Sequence, residues 1–274
     1  MKTSPDAYSV IRHGYGTIQL YQRKRRGSMR TGAVAHRGGA LTQRDVLGLV
    51  LSYLYAFGLL FGAEALGKRL RLPQFVTRKF VHIGAGMWVW GVIGLFDTWQ
   101  IGIIPFASFI ALNYAFYRFR TFRAMDAVDE SPGTVYFALS ITLLFALLWR
   151  NRGPVDRVPI AVAAIMAMTW GDGLASLVGH SLGRHRYTVF GHARSWEGSV
   201  AMGVAAFVAI VVTVLLLSDS AWSPFSAAVS LNRAIVAGAV ATLVATAAEG
   251  LSPAGTDNLT VPLLTALTLL PLLG

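Results

Sequence analysis

The stretch Met168-Thr169-Trp170-Gly171-Asp172-Gly173-Leu174-Ala175-Ser176-Leu177-Val178-Gly179 decides how this chain is read. It closes an apolar run that starts near Val158, and about 20 such residues suffice to cross a bilayer. One carboxylate, Asp172, stands inside the run. A charged side chain at the centre of a membrane helix costs about 2.5–3.5 kcal/mol on insertion scales, so it faces a polar cavity and has a task there. Gly171 and Gly173 flank it, and glycine lets a backbone bend and another group come close. The expectation is a helix that loosens at Asp172 and holds the acid beside a small polar opening. A polar, basic loop over 179–194 follows at once, then Ser195-Trp196-Glu197-Gly198-Ser199. This is the layout of a phosphate or nucleotide site at a membrane face.

Composition agrees with that reading. Of 274 residues, 54% are hydrophobic and 14% charged, against about 25% charged in an ordinary soluble domain. The chain is expected to be all-α, a polytopic integral membrane bundle. It has no cysteine, which excludes disulfides and Cys-ligated metal. The formal net charge is +11, and residues 1–45 carry nine Lys and Arg against Asp6 and Asp45.

Outward from the central run, apolar segments fall at about 46–66, 80–96, 99–116, 133–149, 158–178, 199–217, 233–249 and 258–273, which predicts about eight transmembrane helices. Residues 46–274 form the membrane-embedded catalytic domain in this reading. Residues 1–45, with Arg23-Lys24-Arg25-Arg26, read as a disordered basic tail resting on anionic headgroups. An organelle transit peptide, or a true start at Met29, are the alternatives for that tail. No cleavable secretory signal is expected, because the first apolar run begins only near Val46. Gly58 with Gly62, and Gly91 with Gly94, are expected to be close-packing faces between helices. Trp88, Trp99, Trp149 and Trp222, near span ends, are expected to be interfacial anchors. No internal repeat is visible.

Lys68, Arg69, Arg71, Arg78 and Lys79 in the first connection outweigh Arg30, Arg37 and Arg44 just before the first span. The bias of Lys and Arg toward the cytoplasm then puts that connection inside, together with 117–132, 179–198 and 250–257. These are the polar segments. They carry four constellations. In the first, Arg78, Lys79 and His82 share one helix mouth, with Arg78 and His82 four residues apart; the plain alternative is a positive-inside anchor. In the second, Asp129-Glu130-Ser131-Pro132-Gly133-Thr134-Val135-Tyr136 offers free N–H groups at a helix start, or only a cap. In the third, His180, Arg184, His185, Arg186, His192 and Arg194 lie in the loop before Ser195, which is a candidate N-cap. The loop lacks the Walker A pattern, and its histidines lack metal-ligand spacing. In the fourth, Glu249, Asp257 and Asn258 offer oxygen ligands between two spans, with Pro262 inside the second. Mg²⁺ takes a few carboxylates plus substrate phosphates. Phosphoryl transfer needs these parts together.

The order Arg-Lys-x-x-His, Gly-Thr-x-Tyr, Gly-Asp-Gly-x-Ala-x-x-x-Gly, Ser-Trp-Glu-Gly-Ser, then Glu followed by Asp-Asn-x-x-x-Pro resembles the CTP-dependent polyprenol kinases, and within them the phytol kinase branch by size. The group includes dolichol kinases and CTP-dependent diacylglycerol kinases. The resemblance covers about residues 75–265. It implies that CTP gives its γ-phosphate to a lipid alcohol, with a divalent metal, at the cytoplasmic face. The positions it marks are Arg78, Lys79, His82, Gly133, Thr134, Tyr136, Asp172, Ala175, Gly179, Glu197, Gly198, Ser199, Glu249, Asp257, Asn258 and Pro262. One departure is Arg194, where the family commonly has Lys.

The resemblance thus implies catalysis by Asp172, Asp257, Glu197 and His82. Nucleotide and phosphate contacts would come from Arg78, Lys79, Gly133, Thr134, Tyr136, Gly179, Arg194, Ser195, Gly198, Ser199 and Asn258. Mg²⁺ ligands would be Asp172, Glu197, Glu249 and Asp257. The expected partners are the alcohol, CTP and membrane lipids, with no nucleic acid, and the expected location is a multi-pass place in a membrane, the cell inner membrane if the source is bacterial or archaeal. The oligomeric state and the choice of alcohol stay open. Rival readings are a cytidylyltransferase acting on phosphatidic acid, whose C-terminal basic signature is missing, a CTP-dependent diacylglycerol kinase, and a transporter.

Overall fold

In hydrocarbon a backbone must satisfy its own N–H and C=O groups, so a chain of apolar runs folds as helices. A computed structural model describes residues 41–121, 132–150, 155–253 and 255–274. The tail 1–40, with Arg23–Arg26, and the Asp129-Glu130-Ser131 part of the second constellation lie outside the described residues. The helices are α1 (Gln43–Leu70), α2 (Gln74–Leu95), α3 (Trp99–Phe119), α4 (Gly133–Leu148), α5 (Val158–Met166), α6 (Gly173–Leu182), α7 (Trp196–Leu217), α8 (Leu231–Leu251) and α9 (Asp257–Leu273). A wide π-type turn, Ala167–Asp172, joins α5 to α6 in one column. Each expected apolar run therefore lies within one helical column. Helices α1, α3, α7, α8 and the α5–α6 column are long and apolar enough to cross a membrane, and α4 and α9 are shorter apolar helices. The chain is an all-α membrane bundle.

The α5–α6 column is the axis of that bundle. Residues Val158 to Met168 are all nearly or fully buried. Helices α4, α7 and α9 pack around α5. On α7, Met202, Ala206, Ile210 and Val214 point inward while Val200, Val204, Val208 and Val212 lie exposed. A helix apolar on both faces is one that sits in lipid. On α8 the inward residues are small (Ala234, Ala237, Ala241, Ala245), which lets backbones approach where no hydrophobic force drives helices together.

Helix α1 begins at Gln43, capped by Thr42, whose Oγ1 accepts from Asp45 N at 3.0 Å while Asp45 Oδ2 accepts from Thr42 N at 3.2 Å. Asp45 is buried and its other oxygen accepts from Asp97 N and Thr98 N at 3.0 and 3.1 Å. Residues 41–45 thus belong to the bundle and not to the tail. Asp156, just before α5, accepts from Arg150 N (2.8 Å) and Ser223 Oγ (2.8 Å). Burial pushes its carboxyl above the ordinary carboxylate range.

Three expectations need correction. Gly58, Gly62 and Gly94 face open space, and Gly91 meets only Trp88 of its own helix, so these spacings are not packing faces. The close approaches lie elsewhere: a Cβ at Gly86 would overlap the Thr169 side chain, and one at Gly102 would come within 2.6 Å of Trp149 Cη2. Trp149 is no interfacial anchor either; it is fully buried against Phe145. Trp88 is turned into the bundle, stacking on Tyr55 at 4.3 Å and donating to Ser52 Oγ at 3.0 Å. The segment after α6 is an antiparallel hairpin, β1 (Arg186–Val189) and β2 (His192–Ser195), and not a loop. Phe190 and Gly191 form its two-residue turn with φ of 48° and 82°, the positive values that match strand twist.

Candidate active site

The α5–α6 column brings Asp172 to the bundle's polar end. The helix widens over Ala167–Asp172, and such wide turns recur at functional sites. Thr169 Oγ1 donates back to Ile165 O at 2.7 Å. Ten residues separate Asp172 from Leu182, the end of α6, so the acid lies about 15 Å below that end at 1.5 Å per residue.

Helix α2 crosses the column at this level, and Gly86 against Thr169 allows the approach. Lys79 Nζ donates to Asp172 Oδ2 at 2.7 Å. His82 Nε2 lies 3.4 Å from the same oxygen and 3.3 Å from Met168 O. Both neighbours of Nε2 are acceptors, so that nitrogen carries the proton. Lys79 and Asp172 are buried, at 8% and 5% exposure. In a low dielectric each charge is tolerable only because of the other.

A second charged group faces the first from α8, α9 and the hairpin. Arg194 Nε is 3.3 Å from Glu249 Oε1, and Arg194 Nη2 is 3.8 Å from Asp257 Oδ2. Arg194 Nη2 also donates to Ser252 O at 3.3 Å. Helix α7 begins on Ser195, whose Oγ accepts from Gly198 N at 3.1 Å. Gly198 lies against α6, where an added Cβ would meet Ala175 O at 2.9 Å. Tyr187 Oη and Ser199 Oγ are 2.7 Å apart, tying the hairpin to α7.

Between these groups lies a polar cavity of about 400 Å³. Its wall includes Arg78, Lys79, Asp172, Ala175, Gly179, Arg194, Ser195, Gly198, Ser199, Glu249 and Asp257. Gly133, Thr134, His82 and Asn258 line a second, apolar cavity that shares Arg78 and Lys79 with the first. Three marked residues stand apart. Tyr136 and Pro262 are not among the residues lining either cavity. Glu197 turns to the hairpin, accepting from His185 N at 3.2 Å and pairing with His185 Nδ1 at 2.7 Å. It stands in the first turn of α7 and lines neither cavity.

Arg186 and His192 of the third constellation line the polar cavity from the hairpin. A residue that the sequence did not single out also reaches the site. Asn113 on α3 donates to Thr134 O at 2.9 Å and lines the apolar cavity. An amide side chain inside an apolar run was the available signal.

No group of three or more His, Cys, Asp or Glu able to cage a metal occurs among the described residues. Mg²⁺ keeps its waters and takes one or two carboxylates plus phosphate oxygens. Glu249 and Asp257 face one cavity and suit that arrangement.

Fold and site together define an integral membrane protein with a cation- and carboxylate-lined chamber sunk into one end of a helical bundle. The sequence is 40% identical to a phytol kinase of Synechocystis sp. over 222 residues, 81% of this chain and 88% of that protein. It is 26% identical to a probable chloroplastic phytol kinase of Triticum aestivum over 80% of this chain and 74% of that one. A chloroplastic farnesol kinase of Arabidopsis thaliana is 28% identical over 81% of this chain and 74% of its own length. No family model matches the chain, and no solved structure matches it. The chain belongs to the phytol kinase family.

Proposed function

We propose that this protein is a kinase that moves the γ-phosphate of CTP to the hydroxyl of an isoprenoid alcohol held in the membrane. The observation that carries the reading is the contact between two cavities. A charged one suits a nucleotide triphosphate, an apolar one suits a lipid, and Arg78 and Lys79 stand in both walls. The relatives named for phytol and farnesol supply the class of acceptor. Nucleotide choice rests on the family resemblance.

In this mechanism Arg78, Lys79 and Arg194 neutralise the phosphates, which is most of what phosphoryl transfer asks of a protein. Mg²⁺, held by Glu249 and Asp257, would spread the charge that builds on the β- and γ-oxygens. The alcohol oxygen bonds to the γ-phosphorus, the bridging β–γ P–O bond breaks, and CDP leaves with that electron pair. The hydroxyl proton passes to Asp172, the carboxylate that touches both Lys79 and His82. His82 and Asn258 orient the acceptor. Glu197, with His185, fixes the hairpin that carries Arg194. All eight columns cross the membrane, with the site at the cytoplasmic end, as the basic first connection requires.

The test is purified protein in detergent with Mg²⁺, phytol and CTP labelled on the γ-phosphate. Label should enter the lipid phase as CDP appears, and ATP should substitute poorly. No transfer to any isoprenoid alcohol would end this reading.

A further inference from the structure

The apolar cavity has a size, a lining and an open direction that the reaction alone does not dictate. It lies among α1, α2, α3 and α4, with a volume of about 120 Å³. An engineered apolar cavity of about 150 Å³ takes up one benzene, so this one has room for about one five-carbon branched unit. Its wall is aromatic and aliphatic: Tyr55, Leu59, Trp88, Phe106, Phe109 and Phe137. The polar atoms of that wall already have partners. Tyr55 Oη donates to Gly84 O at 2.8 Å and Trp88 Nε1 to Ser52 Oγ at 3.0 Å, so the wall presents carbon to whatever enters.

The polar end is different. Lys79 and His82 close it, beside Asn258. Asn258 is buried, and among the described residues its Oδ1 has no hydrogen-bond partner. A buried acceptor left unpaired costs about 1–3 kcal/mol, a deficit that a hydroxyl donor would remove. The outer wall is α1, whose Leu54 and Phe61 are exposed on the apolar surface of the bundle.

We infer that this cavity holds the first isoprene unit of the acceptor, with its hydroxyl donating to Asn258 Oδ1 on binding and turning to Asp172 for the transfer, and that the rest of the chain leaves beside α1 into lipid. The inference rests on the kinase reading above. It names a division of labour: the protein selects the branched head of the alcohol and is indifferent to the length of its tail. Geraniol, farnesol and phytol share that head, whereas a straight-chain primary alcohol lacks the 3-methyl branch.

The test measures kcat/KM in mixed micelles for geraniol, farnesol and phytol and for unbranched alcohols matched in chain length, with wild type and Ala85→Phe. Ala85 lines the cavity from α2, and a phenyl ring there fills it. In the wild type the three isoprenoid alcohols should lie within about tenfold of one another and exceed their unbranched counterparts by tenfold or more. Ala85→Phe should lose at least tenfold for every isoprenoid alcohol while its CTP affinity, read by calorimetry, stays within twofold. That affinity shows the variant is folded. Equal use of branched and unbranched alcohols would overturn the inference and leave the kinase reading standing. So would an Ala85→Phe enzyme that keeps its isoprenoid activity. Absence of transfer by the wild type to any alcohol would overturn both.

Discussion

Lys79 and Asp172 are one residue pair on which both the stability of the bundle and the proposed chemistry turn. Their 2.7 Å contact is buried between α2 and the central column. Removing one partner of a buried pair leaves an uncompensated charge and costs about 3–5 kcal/mol, whereas removing both is often close to neutral. Lys79→Met should therefore lower the unfolding midpoint in detergent by much more than the double variant Lys79→Met/Asp172→Asn. Asp172→Asn alone should insert normally and lose turnover by at least 10²-fold, because its proton acceptor is gone. Wild-type turnover in Asp172→Asn would remove Asp172 from the mechanism. Asp172 was legible in the sequence because a lone acid in an apolar run has no ordinary explanation. Glu197 was not, because sequence shows an acid near a helix start but not which way it turns. Its carboxylate goes to His185, which faces it across the hairpin.

At the scale of elements, the hairpin is the part of the site that periodicity hid. Its strands, Arg-Tyr-Thr-Val and His-Ala-Arg-Ser, have four residues each, too short a pattern to separate from a polar loop. Yet it places Arg194 against α8 and α9. Arg194→Ala should raise the KM for CTP by at least tenfold, measured as initial rates at saturating alcohol. Arg194→Lys should recover part of that loss, since it keeps the charge and gives up the fork. Tyr187→Phe, which removes the bond to Ser199, should cost a few-fold in the same assay by loosening the hairpin. Unchanged CTP kinetics in Arg194→Ala would detach the hairpin from nucleotide binding. The glycine pairs failed as markers for a related reason. A four-residue spacing puts two glycines on one face, but nothing in the spacing says that a neighbour covers that face. Gly86 and Gly102, which do meet neighbours, stand singly.

At the scale of the molecule, hydropathy was enough to place the helical columns, because each apolar stretch had only one way to satisfy its backbone. Which columns meet at Lys79 and Asp172 was not legible, since helices α2 and α5–α6 are 93 residues apart at that contact. Sidedness is open to direct measurement, because the chain has no native cysteine. Phe190 at the hairpin tip is 77% exposed, and Trp222 in the connection after α7 is 49% exposed. Phe190→Cys should react with an impermeant maleimide only from the cytoplasmic side, and Trp222→Cys only from the opposite side. Labelling of Phe190→Cys from outside would reverse the proposed orientation.

The wide turn at Ala167–Asp172 has a consequence for how this chain tolerates change in length. Each residue of an α-helix turns the next by about 100°, and a π-type turn holds one residue more than an α-turn. Deleting a single residue there would let the turn close as an ordinary α-turn, leaving α5 seated among α4, α7 and α9 and α6 on its present face. Adding a residue has no such outlet: it would rotate α6 by about 100° about its axis, carrying Gly179 off Ser195 and the hairpin with it. Substitution inside the turn is a matter of volume; a gain in count is a change of phase. The wide turn is one residue of slack between the bundle's core and its reactive end.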